Sequence, residues 1–237
     1  MKILFHFTAF LWLYVTGITT ALAVEPLPSH LINFTSHSGA VLLKKDLNEN
    51  TLKLLAHFTT QKTLTYCGIA SAVMVLNAVG IAPPVDSQHA PYRYFNQDNF
   101  FNDSVKHIVT PEAVQKNGID LTTLSQVIER YGLTVKLFHA NKLNVKTFRA
   151  TLQQAISHKQ FIIVNFLRTQ LHQQGGGHHS PIAAYDKQTD RFLILDVARF
   201  KYPAYWVKTK ALWDAVNTLD SDAYRGFIIM NSPYVAL

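Results

Sequence analysis

The sequence has little cysteine and little charge: Cys67 is its only cysteine in 237 residues, and charged side chains make up 16% of it. A single cysteine excludes an internal disulfide. In an exported protein, a leftover thiol indicates either an intermolecular pair or a reactive group, whereas most free cysteines are small buried hydrophobes. The neighbours of Cys67 therefore decide between these interpretations.

The chain also lacks internal repeats, low-complexity tracts and linkers rich in Gly, Pro or Ser, so we expect one continuous folded unit. Its 22 Lys and Arg residues against 15 Asp and Glu give a net charge of +7, but the positive residues are scattered along the chain. Proteins that bind nucleic acid usually cluster their basic residues. We therefore expect a solvated basic surface and no nucleic-acid partner.

Residues 1–23 are typical of an export signal. Lys2 precedes an apolar stretch from Ile3 to Val15, and Ala21-Leu22-Ala23 forms a small-residue cleavage site. The apolar stretch is shorter than the roughly 20 residues that span a bilayer, which favours cleavage, although an uncleaved anchor stays open. We expect a signal peptide over 1–23, a catalytic domain over 24–237, a periplasmic location and no stable membrane insertion after cleavage.

Hydrophobic spacing divides the remaining chain into helices followed by strands. Helices are predicted over 47–58, 68–80, 110–118, 120–132 and 144–158, and strands over 133–138, 161–167, 178–185, 191–197 and 226–231. Residues 82–101, with three prolines and many aromatics, read as an ordered loop. Helices first and an antiparallel sheet second predict an α+β fold in two lobes.

Cys67 lies at the start of the predicted helix over 68–80. Unpaired N–H groups and the helix dipole favour a thiolate at that position, which is the nucleophilic form of cysteine. Six residues upstream, Gln61 offers an amide N–H₂ that could stabilise a developing oxyanion together with the backbone N–H of Cys67.

A cysteine nucleophile needs a base and a group that orients the base. His178 follows a triple glycine at the start of one predicted strand, and Asp196 ends the next one. If the two strands pair in an even register, both side chains share a face, so that Asp196 can orient the imidazole of His178 towards Cys67. His179 should then point the opposite way. This order of Gln, Cys, His and Asp predicts a papain-like arrangement, with a helical N-terminal lobe and an antiparallel β-sheet C-terminal lobe.

A metal site is the alternative interpretation of the histidines. His172 lies close in sequence to His178 and His179, but neighbours on one strand face opposite sides and cannot readily share an ion. The spacing also matches none of the regular zinc patterns. We therefore predict no metal ligand here.

Several blocks of the sequence resemble one known family. "YCGIASAVMVLNAVGI", "YRYFNQDNFF", "GGGHHSPIAAYDKQTDRFLILDVARFKYPAYWV" and "LWDAVNTLDS" are similar to the catalytic domain of phytochelatin synthase, especially its short single-domain bacterial forms. The resemblance implies a papain-like glutathione γ-glutamylcysteinyltransferase that takes part in the heavy-metal response. Such an enzyme cleaves Gly from glutathione through a γ-Glu-Cys thioester and passes the acyl group to water or to a second glutathione. The catalytic residues that it implies are Cys67, His178, Asp196 and Gln61.

The resemblance also implies how the substrate is held. Asp220 would bind the γ-glutamyl amine and Arg225 its carboxylate, while Arg199 would support the site or a second-substrate pocket. Gly177 and Ser180, on either side of the histidines, are assigned to substrate binding as well, and a glycine there would let the substrate approach the backbone closely. Surface salt bridges are the alternative for Asp220, Arg225 and Arg199.

The expected partner is glutathione, and no cofactor should be required. Activation by heavy-metal ions such as cadmium or zinc, through metal–glutathione thiolates, is left open, as is a homodimer. Without the cysteine-rich C-terminal domain of long plant-type enzymes, we expect no metal sensing through such a domain. Because glutathione is scarcer outside the cytoplasm, we expect hydrolysis to outrun transfer.

Two rival hypotheses remain. A papain-like peptidase of the kind that trims bacteriocin leaders shares the same order of residues but needs an open cleft for a long peptide. A non-catalytic periplasmic metal-binding protein would use Cys67 and the histidines, but soft-metal sites usually gather several sulfur ligands.

Overall fold

The computed structural model describes residues 24–231, so the predicted export signal lies outside the described residues. Its helices are α1 (His37–Asp46), α2 (Glu49–Ala56), α3 (Cys67–Val79), α4 (Asp103–Lys106), α5 (Pro111–Asn117), α6 (Leu121–Glu129), α7 (Val145–Ser157) and α8 (Thr209–Val216). Its strands are β1 (Ile32–Asn33), β2 (Thr134–His139), β3 (Phe161–Leu167), β4 (Gly177–Asp186), β5 (Arg191–Ile194), β6 (Tyr205–Lys208), β7 (Leu219–Asp220), β8 (Ala223–Tyr224) and β9 (Gly226–Asn231).

Seven strands form one antiparallel sheet in the order β1-β6-β5-β4-β3-β9-β2. The central strands β3 and β4 are buried over most of their length, so they supply apolar side chains to both faces. Strands β7 and β8 form a separate hairpin next to the sheet.

Helix α3 is the centre of the helical lobe. Nearly every residue from Cys67 to Ala78 is buried, as expected of a helix that is apolar on all sides. The helix ends at Gly80, whose φ of 82° is the left-handed conformation that glycine adopts at low cost. Side chains of α3 and α6 pack with Ile163, Leu193 and Trp206 from one face of the sheet.

The opposite face of the sheet carries a second core. Phe148 and Leu152 of α7 and Leu212 of α8 pack there against side chains such as Val164 and Phe192. The predicted α+β fold, with N-terminal helices and an antiparallel sheet after them, is thus confirmed. The sheet is in addition covered on its far side by two later helices.

The predicted boundaries differ in three places. The helix expected over 47–58 begins at Glu49 instead, because the side chain of Asn48 caps α2 by accepting the N–H of Thr51. A separate helix, α1, ends just before it at Asp46. Strand β5 ends at Ile194, earlier than the expected 197. The sequence analysis did not predict helices α1, α4 and α8 or strands β1, β6, β7 and β8.

None of the helices in the described range is long and apolar enough to cross a membrane.

Candidate active site

The Cys67 thiol occupies the first turn of a buried helix. Cys67 is the first residue of α3, and Tyr66 before it provides no side-chain cap. The backbone N–H groups of this turn therefore remain available to an anion, and the helix dipole favours negative charge there. Cys67 is 9% exposed and lines a cleft, and its place at the start of α3 is the one predicted from the sequence.

A bulge between β4 and β5 brings His178 and Asp196 together. Near the turn, Tyr185 pairs with Phe192 and Ala184 with Leu193, but one step further Ile182 pairs with Ile194. The extra residue on β4 changes the register by one, so that residues 178 and 196 come to lie on the same side. Nε2 of His178 is 2.9 Å from Oδ1 of Asp196.

Arg168, which the sequence analysis did not single out, holds the other side of Asp196. Its Nη1 and Nη2 atoms donate to Oδ2 and Oδ1 of the carboxylate, each at 2.8 Å, and Nη1 also donates to Oε1 of Gln173. Arg168 is 4% exposed and Asp196 is fully buried. Such a bidentate pair fixes the carboxylate in its plane. The signal for this role was an arginine directly after the apolar run 161–167.

Burial alone would raise the pKa of the Asp196 carboxyl, but the charges of His178 and Arg168 hold that pKa well below its usual range. Burial and Arg168 disfavour a charged His178, yet Asp196 and the Cys67 thiolate raise the pKa of the imidazole above its ordinary value. For Cys67, burial opposes ionisation, while His178 and then His179 lower the pKa of the thiol well below its usual range. Together, the lowered pKa of the Cys67 thiol and the raised pKa of the His178 imidazole favour a thiolate and an imidazolium at neutral pH.

The expectation that His179 faces away from Cys67 is wrong. Nδ1 of His179 lies 3.8 Å from Sγ of Cys67, although His178 has the larger effect on the pKa of the thiol. The reason is that His179, which pairs with Asn165 of β3, lies on the face of the sheet that packs against α3. The Ser71 hydroxyl of α3, which donates to the carbonyl oxygen of Cys67, lies 3.3 Å from the carbonyl oxygen of His179.

Asp220 and Arg225 form an ion pair, with Nη1 of Arg225 2.7 Å from Oδ2 of Asp220. Asn165 of β3 links them to His179: its Oδ1 accepts from Nη1 of Arg225 at 3.2 Å, and its Nδ2 donates to Oδ2 of Asp220 at 3.1 Å. The same Nδ2 lies 3.0 Å from Nε2 of His179. Asn165 was missed by the sequence analysis, although a single polar residue within "FIIVNFL" was the available signal.

Gly177 makes room for this ion pair. A Cβ atom on Gly177 would lie 2.7 Å from Nη1 of Arg225, closer than atoms can approach. The predicted reason for a glycine here was space for the substrate, and the structure gives it the further function of admitting the guanidinium group.

Part of this site lines a cleft of about 520 Å³, a size common for small-molecule sites. Cys67 and His179 line it near Asn165 and Gly177, and Asp220 lies in the same wall. Further lining comes from the loop before α6 and the β7–β8 turn, at Asn117, Gly118, Ile119, Asp120, Ser221, Asp222 and Ala223, and from Leu64 and Thr65 before α3.

A family model described as phytochelatin synthase matches residues 22–227. The chain belongs to the phytochelatin synthase family.

Curated relatives agree with this family. The chain is 34% identical over 211 residues to "Glutathione gamma-glutamylcysteinyltransferase 2" of Arabidopsis thaliana, covering 86% of this chain and 45% of that protein. It is 34% identical to "Glutathione gamma-glutamylcysteinyltransferase 3" of Lotus japonicus, covering 84% and 42%. For "Glutathione gamma-glutamylcysteinyltransferase" of Schizosaccharomyces pombe the identity is 26%, with 89% and 51% covered. The chain thus spans about half the length of these relatives.

A solved structure of a C39-like peptidase from Bacillus anthracis aligns with a TM-score of 0.48 and 12% identity, over 73% of this chain and 93% of that one.

His178, Asp196 and Arg225 do not line the cleft themselves. Neither do three other residues assigned through the resemblance to phytochelatin synthase. Gln61 is buried, its Nε2 donates to the carbonyl of Thr63 at 2.6 Å, and its backbone N–H donates to Val197, next to Asp196. Ser180 is fully buried, and its hydroxyl accepts the N–H of Val197 at 3.4 Å, so its side chain does not reach the cleft. Arg199 is exposed and lies over the ring of Phe58, with 4.7 Å from its guanidinium carbon to the ring centre.

In the part of the chain that the structure describes, no three His, Cys, Asp or Glu side chains come close enough to hold a metal ion.

Proposed function

We propose that this protein cleaves glycine from glutathione by acyl transfer to Cys67, mainly hydrolysing the resulting thioester and in part transferring the γ-Glu-Cys group to a second glutathione. The observation that carries the proposal is that Asp220, which is ion-paired with Arg225, lines the same cleft as a thiol whose pKa is lowered. A γ-glutamyl group carries an ammonium and a carboxylate on one carbon, and one acidic and one basic side chain are its natural partners.

Arg225 still has an N–H group that can donate to a substrate carboxylate. It is 5% exposed, its Nη1 serves Asp220 and Asn165, and its Nε has no hydrogen-bond partner in the described part of the chain. A buried arginine N–H without an acceptor is costly. A substrate carboxylate would supply the missing acceptor, while the substrate ammonium would take the place of the guanidinium beside Asp220.

The proposed chemistry starts from a Cys67 thiolate and a His178 imidazolium, since each group shifts the pKa of the other towards its charged form. The thiolate attacks the carbonyl carbon of the Cys–Gly peptide bond, an S–C bond forms, and the C–N bond breaks as the imidazolium of His178 gives its proton to the departing glycine amine. His178, now neutral, takes a proton from water, whose oxygen attacks the thioester. The C–S bond of the thioester then breaks, which releases γ-glutamylcysteine and restores the Cys67 thiolate beside the His178 imidazolium. In the transfer reaction, the amine of a second glutathione replaces water.

Asp196 keeps the imidazole in the orientation that this sequence of steps needs. Its bond to Nε2 leaves Nδ1 of His178 for the thiol, and Arg168 prevents the carboxylate from turning away. Backbone N–H groups at the start of α3 would stabilise the oxyanion. We propose Gln61 as a further donor to that oxygen through the second hydrogen of its Nε2, because the first is donated to the carbonyl of Thr63.

Intact-protein mass spectrometry during incubation with glutathione tests the proposal. We expect a γ-Glu-Cys adduct on the wild-type protein, release of glycine, and neither in Cys67→Ser. Quantifying γ-glutamylcysteine against the dimeric transfer product, with and without cadmium or zinc, measures the balance of hydrolysis and transfer and the proposed use of metal thiolates. Absence of adduct and of glycine release would overturn the proposal, and cleavage of a peptide leader instead would favour the peptidase alternative.

We further propose that residues 1–23 direct export to the periplasm and are removed. The support is the pattern of Lys2, the apolar stretch and Ala21-Leu22-Ala23. N-terminal sequencing of the protein recovered from the periplasmic fraction should begin at Val24. A full-length chain recovered with the membranes would contradict this.

A further inference from the structure

Cys67 contacts a second imidazole that the proposed reaction does not use. His179 is 3% exposed, lines the cleft, and places Nδ1 3.8 Å from the sulfur. Its other ring nitrogen, Nε2, faces Asn165 at 3.0 Å rather than solvent. Both nitrogens therefore have a defined neighbour, and the position of the ring proton can be deduced from them.

Asn165 can take only one amide orientation. Its Oδ1 accepts from the Arg225 guanidinium and its Nδ2 donates to the Asp220 carboxylate. The reversed amide would place an oxygen against the carboxylate and an N–H₂ group against the guanidinium, and both contacts would be repulsive. Asn165 is 1% exposed, so water cannot relieve such contacts. The two charged partners thus fix the amide.

The fixed amide determines the tautomer of His179. Nδ2 of Asn165 has two hydrogens, one for Asp220 and one that points to Nε2 of His179. Nε2 must accept this hydrogen, so it carries no proton of its own. The proton of the neutral ring then sits on Nδ1, the nitrogen that faces the sulfur.

We propose that His179 stabilises the Cys67 thiolate as a neutral Nδ1–H donor, held in this tautomer through Asn165 by the Asp220–Arg225 pair. The inference rests on the proposed role of Cys67 as the nucleophile. The two adjacent histidines then have different roles. His178 transfers the proton, and His179 donates a hydrogen bond to the sulfur of Cys67.

His179 cannot act as the base in this arrangement, because Nδ1 already carries a proton and Nε2 is occupied by Asn165. The other charged and titratable groups that act on the thiol are His178 on β4, Arg168 after β3, and Asp196 after β5, which acts through His178. None of these three depends on Asn165 for its orientation. The carboxylates of Asp120, Asp220 and Asp222 line the same cleft. Loss of the His179 donor should therefore change the acidity of the thiol without removing the base.

The pH dependence of Cys67 alkylation by iodoacetamide, measured without glutathione, tests the donor. His179→Phe keeps a ring but has no N–H, and we expect it to move the alkylation midpoint upward by about one pH unit, which is a tenfold loss of thiolate at a given acidic pH. In His179→Asn the amide nitrogen takes nearly the place of Nδ1, and the midpoint should stay within a few tenths of a unit of the wild-type value. Equal midpoints in His179→Phe and wild type would overturn the proposal.

The tautomer can be read in the wild-type protein, independently of how well the variants fold. Nitrogen-15 spectra of histidine-labelled protein should show one ring, absent in His179→Asn, with a protonated Nδ1 and an unprotonated Nε2 at neutral pH. A protonated Nε2 on that ring would contradict the inference.

Neither measurement requires turnover. If glutathione fails to acylate Cys67 while the alkylation shift and the tautomer are as expected, the proposed function fails and the thiolate donor stands. If acylation occurs and His179→Phe leaves the thiol unchanged, the reverse holds.

Discussion

At Gly177, the strand that carries His178 passes directly beside the guanidinium group of Arg225. Asp220 and Asn165 hold that group in place, so it cannot easily move away from a methyl group that would lie 2.7 Å from Nη1. We expect Gly177→Ala to displace Arg225 and to raise the KM for glutathione about tenfold, which corresponds to about 1.4 kcal/mol of binding. The effect on kcat should be smaller, because the thiol and its base are not displaced.

Gly176→Ala is the matched control. A Cβ on Gly176 would meet no atom within 4 Å, so its kinetics should equal those of the wild type. Steady-state kinetics of glycine release from both variants provide the comparison. A KM unchanged in Gly177→Ala would show that Arg225 does not hold the substrate.

Single residues differ in how well the sequence could predict them. Cys67, His178 and Asp196 each stand at the end of a predicted element, and the structure joins His178 to Asp196 at 2.9 Å. Asn165 and Arg168 were missed because their roles arise only across strands: Asn165 lies opposite His179 on β4, and Arg168 reaches Asp196 beyond β5. Neither contact leaves a pattern in the local sequence.

At the scale of elements, the site depends on how α3 and β4 are joined. The predicted helix over 68–80 matches α3 within one residue, since buried spacing and Gly80 mark it clearly. The bulge between Ile182 and Ala184 could not be predicted, because β-bulges depend on pairing with the partner strand. Without it, Asp196 would face away from His178, so the predicted even register was correct only because of an irregularity that the sequence does not reveal.

Ser71 links the two elements directly. Its hydroxyl donates to the carbonyl of Cys67 at 2.8 Å and lies 3.3 Å from the carbonyl of His179. Ser71→Ala should lower the free energy of unfolding by about 1 kcal/mol, the usual contribution of one hydrogen bond. It should also slow acylation of Cys67 by glutathione, because α3 is then free to shift along β4.

Ser125→Ala separates these two effects. The Ser125 hydroxyl donates to the carbonyl of Thr122 within α6 and makes no bond to β4. Urea denaturation should show a comparable loss of stability in both variants, while the acylation rate should fall in Ser71→Ala alone. Equal acylation rates would show that the α3–β4 link does not position the thiol.

At the scale of the whole molecule, the end of α1 meets the turn after β4 through two carboxyl groups. Lys45 Nζ donates to Oε1 of Gln188 at this contact. The side chain of Asp46 lies near Asp186, and its Oδ2 is buried without a hydrogen-bond partner in the described part of the chain. Burial, followed by the charge of Asp186, raises the pKa of Asp46 from 3.8 to about 6. In the folded protein, Asp46 is therefore protonated at pH values where the unfolded chain has already lost the proton.

This contact makes stability depend on pH in a defined direction. A raised pKa in the folded state gives stability that is fully present below about pH 4 and is lost as pH rises through about 6. Paired carboxylates such as Asp190, whose pKa is lowered, change stability with pH in the opposite direction. The total stability of the wild-type protein therefore does not isolate the contribution of Asp46. The difference between the wild type and Asp46→Asn isolates the contact, because the amide can donate to Asp186 at every pH.

We expect the melting temperatures of Asp46→Asn and wild type to be similar at pH 4 and to separate by pH 7, with the variant melting higher. Asp222→Asn removes one exposed carboxylate from this protein of net charge +7, and it controls for the general change in charge. If calorimetry gives the two variants the same pH-dependent difference from wild type, the effect belongs to net charge. A gap that is constant from pH 4 to 7 would instead mean that the Asp46 proton is not held at the junction of α1 with the sheet.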